Sequence, residues 1–320
     1  MALEKINPTD FEWQIIVNPN ALSLQRKDYK ELLTSELQRM NIRHSLYVAD
    51  NGVGTCRRHV CQLCQEGKRH FLVVGGDGTL NEITNGIFQS GVNTQDVYMA
   101  ILPMGTGNDF CRTHLYPKDM METLKLFAAP TFIRHDVGLV KTLDKGKTIA
   151  ERYFLNIAGF GFDADVIQHT LGDKPKHFSS AIYLTTLLKV LFKHKSQNIY
   201  IKADNIDITE NVYTMAIGIC KYNGNGMMQV PMAVQDDGML DLVVIRHVSP
   251  FKVISNVKNL YAGKHLKMKE VSTYKARHIT ISSSETVLGE VEGEMLQPGD
   301  YDISIAPRSM NIMTMQENNL

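Results

Sequence analysis

No stretch of this 320-residue chain reaches the roughly 18 uncharged apolar residues that a membrane-crossing helix needs, so no segment is expected to span a bilayer. The N-terminal run MALEKINPTDFEWQ carries charges and lacks an apolar core. That argues against a secretory signal, and a cytoplasmic location is the expectation. An excess of either charge is also missing: 34 Lys and Arg balance 34 Asp and Glu. There is then no global pull toward nucleic acid, and any basic patch must be local. The five cysteines, Cys56, Cys61, Cys64, Cys111 and Cys220, are odd in number and do not read as a disulfide framework in a chain this long. Internal repeats and low-complexity tracts are absent. What is there is an ordinary globular composition, 43% hydrophobic and 21% charged, in a chain long enough for two domains.

The first half alternates short apolar runs with segments of helical period. Residues 13–17 (WQIIV), 45–49 (SLYVA), 71–74 (FLVV) and 97–102 (VYMAIL) read as strands. Residues 28–40, 55–66 and 79–89 read as helices, with Tyr29, Leu32, Leu33, Leu37 and Met40 at helical spacing in the first. Strands alternating with helices predict an α/β, mostly parallel, doubly wound sheet. The second half predicts a β-rich domain. Its segments 153–158, 198–203, 212–220, 239–246, 277–283 and 300–306 are rich in β-branched and aromatic residues, and helices are expected only at about 179–194 and 249–263. The expected division is an α/β domain at 1–138, a β-rich domain at 139–306 and a tail at 307–320 that packs back on the first domain, with the boundary near the turn LDKGKT.

Twice in the first domain an apolar strand runs straight into a glycine-rich loop. The loops are Gly75-Gly76-Asp77-Gly78-Thr79 and Gly105-Thr106-Gly107-Asn108-Asp109. Glycine lets the backbone approach a polyphosphate and take positive φ. The N–H groups at the following helix N-terminus point at the anion, and Thr79 and Thr106 add hydroxyls. Asp77 and Asp109 carry charge that is unwelcome beside phosphate unless a Mg²⁺ lies between them or one of them holds a partner group in place. A single such loop also suits a tight strand-to-helix turn. Two of them at the carboxyl ends of neighbouring strands point to a nucleotide site.

GGDGTLNEITNGI resembles the signature of the diacylglycerol kinase catalytic domain family, which includes bacterial soluble lipid kinases and sphingosine kinases. PMGTGNDFCR is similar to that family's second loop. NIAGFGFDADV, YNGNGM, VQDDGMLDLVVI and VEGEML follow in the order of the second-domain landmarks of bacterial members. GGDGT alone also resembles loops of nicotinamide dinucleotide kinases and phosphofructokinases, and the later landmarks select the lipid-kinase branch. The resemblance implies ATP-dependent phosphorylation of a lipid hydroxyl, diacylglycerol-like or sphingoid, with Mg²⁺. It also implies a protein that meets its lipid substrate at the inner membrane surface and binds no nucleic acid.

By the same resemblance Asn18, Gly75, Gly76, Asp77, Gly78, Thr79, Leu80, Asn81 and Thr106 contact the nucleotide, and Asp109 joins Asp77 in an acidic, Mg²⁺-binding network. The Val234 and Met239 carbonyls with the Asp237 carboxylate hold a structural Mg²⁺. Glu294 takes the proton from the lipid hydroxyl. A kinase for a soluble nucleotide or sugar, and a catalytically weak nucleotide- or lipid-binding regulator, remain the alternatives.

The chain departs from the family in three places. Asn18-Pro19-Asn20-Ala21-Leu22 lacks the usual Ser-Gly turn, Ala49 or Asp50 stands where a threonine is common, and Glu292-Gly293-Glu294 replaces Asp-Gly-Glu. Glu290, Glu292 and Glu294 alternate and are expected on one face of a strand. Gly159-Phe160-Gly161-Phe162-Asp163-Ala164 fits G-x-G-x-x-A but without the βαβ context of a dinucleotide site. Gly146-Lys147-Thr148 ends like a P-loop, yet Lys141 stands where the first glycine belongs. Cys61-x-x-Cys64, near Cys56 and His59, is expected on a buried helix face rather than at zinc. Residues 174–195 combine Lys174, Lys176, His177, Lys189, Lys193, His194 and Lys195 with the run AIYLTTLLKVLF. That pattern suits either a core helix with solvated ends or a cationic helix on a membrane surface.

Overall fold

The computed structural model of the chain describes residues 3–19, 29–50, 52, 54–171 and 180–315, so that Asn20, Ala21, Leu22, Lys174, Lys176 and His177 lie outside the described residues. The chain forms two compact units. Residues 1–137, 235–237 and 306–320 make the first, and 138–234 and 238–305 the second.

The first unit runs β1 (Leu3–Lys5), β2 (Glu12–Val17), α1 (Tyr29–Arg39), β3 (Arg43–Val48), α2 (Thr55–Gln65), β4 (His70–Gly75), α3 (Asp77–Gln89), β5 (Tyr98–Pro103), α4 (Asp109–Thr113), α5 (Met120–Leu126) and the first half of β6 (Thr131–Asp144). Strands β3, β2, β4 and β5 lie side by side in that order and all parallel, the α/β arrangement that the alternating pattern predicts. A parallel sheet covered on both faces wants unbroken apolar runs. Accordingly Ile15–Val17, Phe71–Val74 and Met99–Leu102 are all buried. Trp13 anchors the lower end of β2: its indole donates to the Pro8 carbonyl at 3.0 Å, and its ring meets Phe127 edge-on at 4.7 Å. Helices α2 and α3 cross closely at Gly86, where an added Cβ would lie 2.4 Å from the Arg57 carbonyl oxygen. On α2, Cys56 and Cys64 are buried and Cys61 half-buried, all as free thiols.

The second unit holds the end of β6, then β7 (Lys147–Phe154), β8 (Ile157–Gly161), α6 (Phe162–Leu171), α7 (Ser180–Lys193), β9 (Gln197–Ala203), β10 (Ile206–Gly218), β11 (Leu240–Arg246), α8 (Pro250–Tyr261), β12 (Val271–Ala276), β13 (His278–Ser282), β14 (Gly289–Val291), β15 (Glu294–Met295) and the first half of β16 (Asp300–Met313). Its strands pair antiparallel in the order β15-β14-β8-β10-β9-β13-β16, and β11 pairs with both β10 and β12. Alternate residues close the core, among them Ile199 and Ile201, Met215 and Ile217, Leu240 and Leu242, and Ile279 and Ile281. The LDKGKT segment is the turn of the β6–β7 hairpin, with Lys145 and Gly146 at positive φ.

β16 then carries the chain back into the first unit. There its second half lies parallel to β5, with Asn311 opposite Tyr98. The Arg308 N–H donates to the Asp136 carboxylate at 2.7 Å, and the Tyr116 hydroxyl donates to the Met313 carbonyl at 2.7 Å.

Two sequence expectations need correction. The single strand expected at 153–158 is broken at Leu155-Asn156 between β7 and β8. The cause is a distant carboxylate: Glu292 Oε1 accepts both the Leu155 and Asn156 N–H groups, each at 2.7 Å, in place of a ladder partner. The second unit also has a third helix, α6, formed by the segment that follows the G-x-G-x-x-A match. β8 itself pairs only antiparallel, with β10 and β14, so no βαβ unit surrounds that match.

The α2–α3 crossing gives a direct test. Gly86→Ala gains up to about 1 kcal/mol of helix propensity. It also drives a methyl into a backbone oxygen, an overpacking cost of about 1–3 kcal/mol. The thermal unfolding midpoint should fall, and an unchanged or higher midpoint would refute the close crossing.

Candidate functional site

Both glycine loops sit at the carboxyl ends of neighbouring parallel strands, with Gly75 of β4 in register with Pro103 of β5. They touch through bare backbone. A Cβ on Gly76 would lie 2.8 Å from the Gly105 Cα, and one on Gly105 would lie 2.5 Å from the Gly76 Cα. The second loop is shaped by Asn108, which stands in the left-handed region at φ 50°. Its side chain accepts from the Gly105 N–H at 3.0 Å and donates to the Gly105 carbonyl at 2.8 Å. Thr106 is exposed on this loop.

α3 starts at Asp77 directly after Gly76, which offers no side-chain cap. The first-turn N–H groups of α3 therefore point out of the helix end toward whatever anion approaches. Thr79 is buried behind them, and its hydroxyl accepts from the Asn18 side chain at 2.9 Å, tying the end of β2 to the loop. Leu80 and Asn81 are buried on the inner side of α3. There the Asn81 carbonyl accepts from Asn85 at 2.9 Å.

Asp77 links the loops chemically. Its Oδ2 accepts the Asp109 N–H and its Oδ1 the Phe110 N–H, both at 3.1 Å, so it caps the start of α4. Asp109 is itself buried, and its carboxylate pairs with Arg112 at 3.3 Å. Burial pushes the Asp77 carboxyl above its ordinary range and the Asp109 charge adds to this, while backbone amide donors, Phe110 foremost, oppose it. The structure thus brings Asn18, Asp77, Thr79, Thr106 and Asp109 together with the glycines. The roles of Asn108 and Arg112 were not read from sequence. The only sequence signal for Asn108 was that it ends a glycine loop, where Asn tolerates the left-handed conformation.

The second unit holds a group of carboxylates on its own. Glu290, Glu292 and Glu294 do not share a strand face, contrary to the alternation in sequence. Glu292 and Gly293, at φ 52° and 85°, are the two-residue turn of the β14–β15 hairpin. This turns Glu290 and Glu292 inward and leaves Glu294 exposed at the start of β15. Glu290 Oε2 accepts the Gly293 N–H at 2.7 Å, and its other oxygen accepts from Asn223 at 3.3 Å. Asp163 at the start of α6 accepts from Gln229 at 3.0 Å. Burial raises Glu290 to about 8, helped by the charges of Asp163 and Glu292, and burial raises Asp163 to about 6.

The chain turns at Gln235-Asp236 and bends at Asp237-Gly238, where Gly238 takes φ 73°; Asp237 is exposed, and Val234 and Met239 flank the stretch.

Several known proteins resemble this chain. Residues 12–140 match the diacylglycerol kinase catalytic domain, and residues 156–314 match the YegS C-terminal NAD kinase beta sandwich-like domain. The chain is 25% identical over 282 residues to a diacylglycerol kinase of Staphylococcus carnosus, covering 88% of each. It is 25% identical over 277 residues to a probable lipid kinase YegS-like protein of Pseudomonas putida, covering 85% of this chain and 87% of that one. A crystal structure of a diacylglycerol kinase from Bacillus anthracis has the same fold, with a TM-score of 0.67 at 20% identity over 95% of this chain and 96% of the other.

The raised carboxyl makes a pH prediction. Between its ordinary value of 4.5 and about 8, Glu290 keeps in the folded state a proton that the unfolded chain has released. Its contribution to stability therefore falls as pH rises through that window. In melts from about pH 5 to about pH 8, Glu290→Gln should lose part of the wild-type decline and be the more stable protein at the alkaline end, by on the order of 1–3 kcal/mol. Identical slopes for the two proteins would mean that Glu290 is ionised in the fold.

Proposed function

Because the chain belongs to the diacylglycerol kinase catalytic domain family, we propose that it transfers the γ-phosphoryl group of ATP to the hydroxyl of a lipid, diacylglycerol-like or sphingoid, with Mg²⁺. The observation that carries this reading is the backbone contact of the two glycine loops at the ends of β4 and β5, held by Asp77. The lipid acceptor is supported by the relatives that bear the names lipid kinase and diacylglycerol kinase. Under this reading the chain works in the cytoplasm and draws its acceptor from the inner membrane surface.

Phosphoryl transfer leaves a protein two main tasks, alignment and charge stabilisation. The N–H groups of Gly76 to Thr79 bind the phosphates at the positive end of α3, and the bare glycine backbone lets the polyphosphate lie close. Asp77 keeps the second loop in place by capping α4, so Thr106 is presented at a fixed distance from the first loop. The Asp77 carboxylate keeps acceptor capacity after that capping, and Asp109, paired with Arg112, stands beside it. Hard oxygen donors of this kind fit Mg²⁺, which when bound neutralises phosphate charge. The turn at 234–239 offers one carboxylate and two carbonyls, a donor set that fits a second, structural Mg²⁺. Glu294, exposed on β15, accepts the proton of the attacking hydroxyl.

The test is transfer of label from γ-³²P-ATP in the presence of Mg²⁺ and a panel of dispersed lipids. Label in a lipid is the expected result. Label found only in a soluble sugar or nucleotide would overturn the lipid assignment. Asp77→Ala should lower kcat by on the order of 10²-fold or more, because both loop alignment and anion positioning depend on it. Glu294→Gln should lower kcat by about 10²-fold with the KM for ATP nearly unchanged. A Glu294→Gln enzyme of full activity would show that the proton leaves by another route.

A further inference from the structure

α8 is a helix whose apolar arc is wider than its buried face. Its inner side sets Val253 against Leu191 and Val248 of the second unit. Its outer side leaves Phe251 74%, Ile254 45%, Val257 41% and Tyr261 47% exposed, and no residue of α8 is fully buried. These four recur at helical spacing and make one stripe. The end of α7 extends it, since Phe192 is 54% exposed and meets the Phe251 ring edge-on at 5.8 Å. A run of aromatic and aliphatic side chains along two adjoining helices is more than the scattered exposure that any surface carries.

The two sequence segments that carry the stripe are basic, with Asp165 and Glu210 reaching His194 and Arg246 from other elements. Residues 187–203 and 242–269 hold ten Lys or Arg and no Asp or Glu, in a chain whose formal net charge is zero. Lys258 is exposed and falls within the stripe by helical spacing, between Ile254 and Tyr261. Lys189, about one helical turn before Phe192, and Lys193, next to it in sequence, are both exposed. The nearest acid in sequence, Glu270, is taken up by Lys252 at 2.7 Å. Large apolar side chains rimmed by lysines match the two layers of an anionic bilayer surface, with acyl chains below and negative headgroups above. A protein partner with an acidic rim would meet the cations equally well, but α8 offers the stripe on a convex helix face, which a fluid surface accommodates without a preformed groove.

We propose that the outer face of α8, with the exposed end of α7, docks the protein on anionic membrane surfaces. Phe251, Ile254 and Tyr261 enter the boundary of the acyl chains while Lys258, Lys189 and Lys193 meet the headgroups. This deepens the proposed lipid phosphorylation by giving the enzyme its route to a substrate that does not leave the bilayer, and it rests on that reading only for its purpose.

Sedimentation of the full chain with sucrose-loaded vesicles tests it. Vesicles of phosphatidylcholine with about one-third phosphatidylglycerol should bind at least ten-fold more tightly than phosphatidylcholine alone, and less so as salt rises. The double change Phe251→Ser with Ile254→Ser should weaken binding by about ten-fold or more. Lys258→Glu should weaken it by roughly five-fold or more per unit of charge removed. Thermal melts matching wild type would show that the variants are folded. Equal sedimentation of wild type and the Phe251/Ile254 variant would overturn the proposal, as would equal binding to vesicles with and without phosphatidylglycerol. So would a shift from dimer to monomer in that variant with vesicle binding unchanged, which would mark the face as a contact between copies. Vesicle binding without any labelled lipid would count against the kinase reading and leave the docking face standing. Phosphorylation of a short-chain, monomeric lipid by a protein that ignores vesicles would do the reverse.

Discussion

Gly76 and Gly105 meet with nothing between their Cα atoms, and the chemistry of the first unit follows from that contact. Because the two backbones are so close, the N-termini of α3 and α4 come to the same place, and one short carboxylate, Asp77, is long enough to start the first helix and cap the second. A helix cap of this kind contributes only about 1 kcal/mol. Burial displaces the Asp77 carboxyl upward, and the neighbouring Asp109 charge adds to this, so the setting works against the charge that does the capping. Such an arrangement makes sense when it is judged by the proposed phosphate site, whose two loops it holds together.

The β14–β15 hairpin shows how surroundings divide labour among identical groups. Three glutamates lie within five residues. Glu290 is buried against Asp163 and favours its protonated form near neutrality. Glu292 spends one oxygen on two amide N–H groups and thereby fixes the corner between β7 and β8. Glu294 alone faces solvent. The side chain is the same in each case, and the difference is the number of donors within reach and the amount of water excluded.

Much of this was legible in the residues and some was not. The parallel strands of the first unit could be read because burial on both faces forces unbroken apolar runs, and the glycine loops announced themselves as abrupt ends to those runs. The glutamate alternation misled because a strand's two-residue period looks the same whether or not a turn interrupts it, and only the positive φ at Glu292 and Gly293 shows the reversal. Asp163 does not stand out within its glycine motif, since nothing local shows that Gln229 and Glu290 come from far along the chain to surround it. The break at Leu155-Asn156 was invisible for the same reason: its cause is 136 residues away. Short-range rules find elements, whereas polar contacts between distant segments decide where the elements stop.

β16 has one more implication, for how the molecule is made. The first unit is assembled from both ends of the chain. β5 receives its parallel neighbour only when Asn311 and Ile312 arrive, and the carbonyl that Tyr116 holds belongs to Met313. During synthesis on the ribosome, residues 1–137 emerge early yet wait with an open strand edge while the whole second unit is translated. Such edges invite pairing with other chains. The order of translation thus completes the strands of the second unit before the parallel sheet of the first receives its last one.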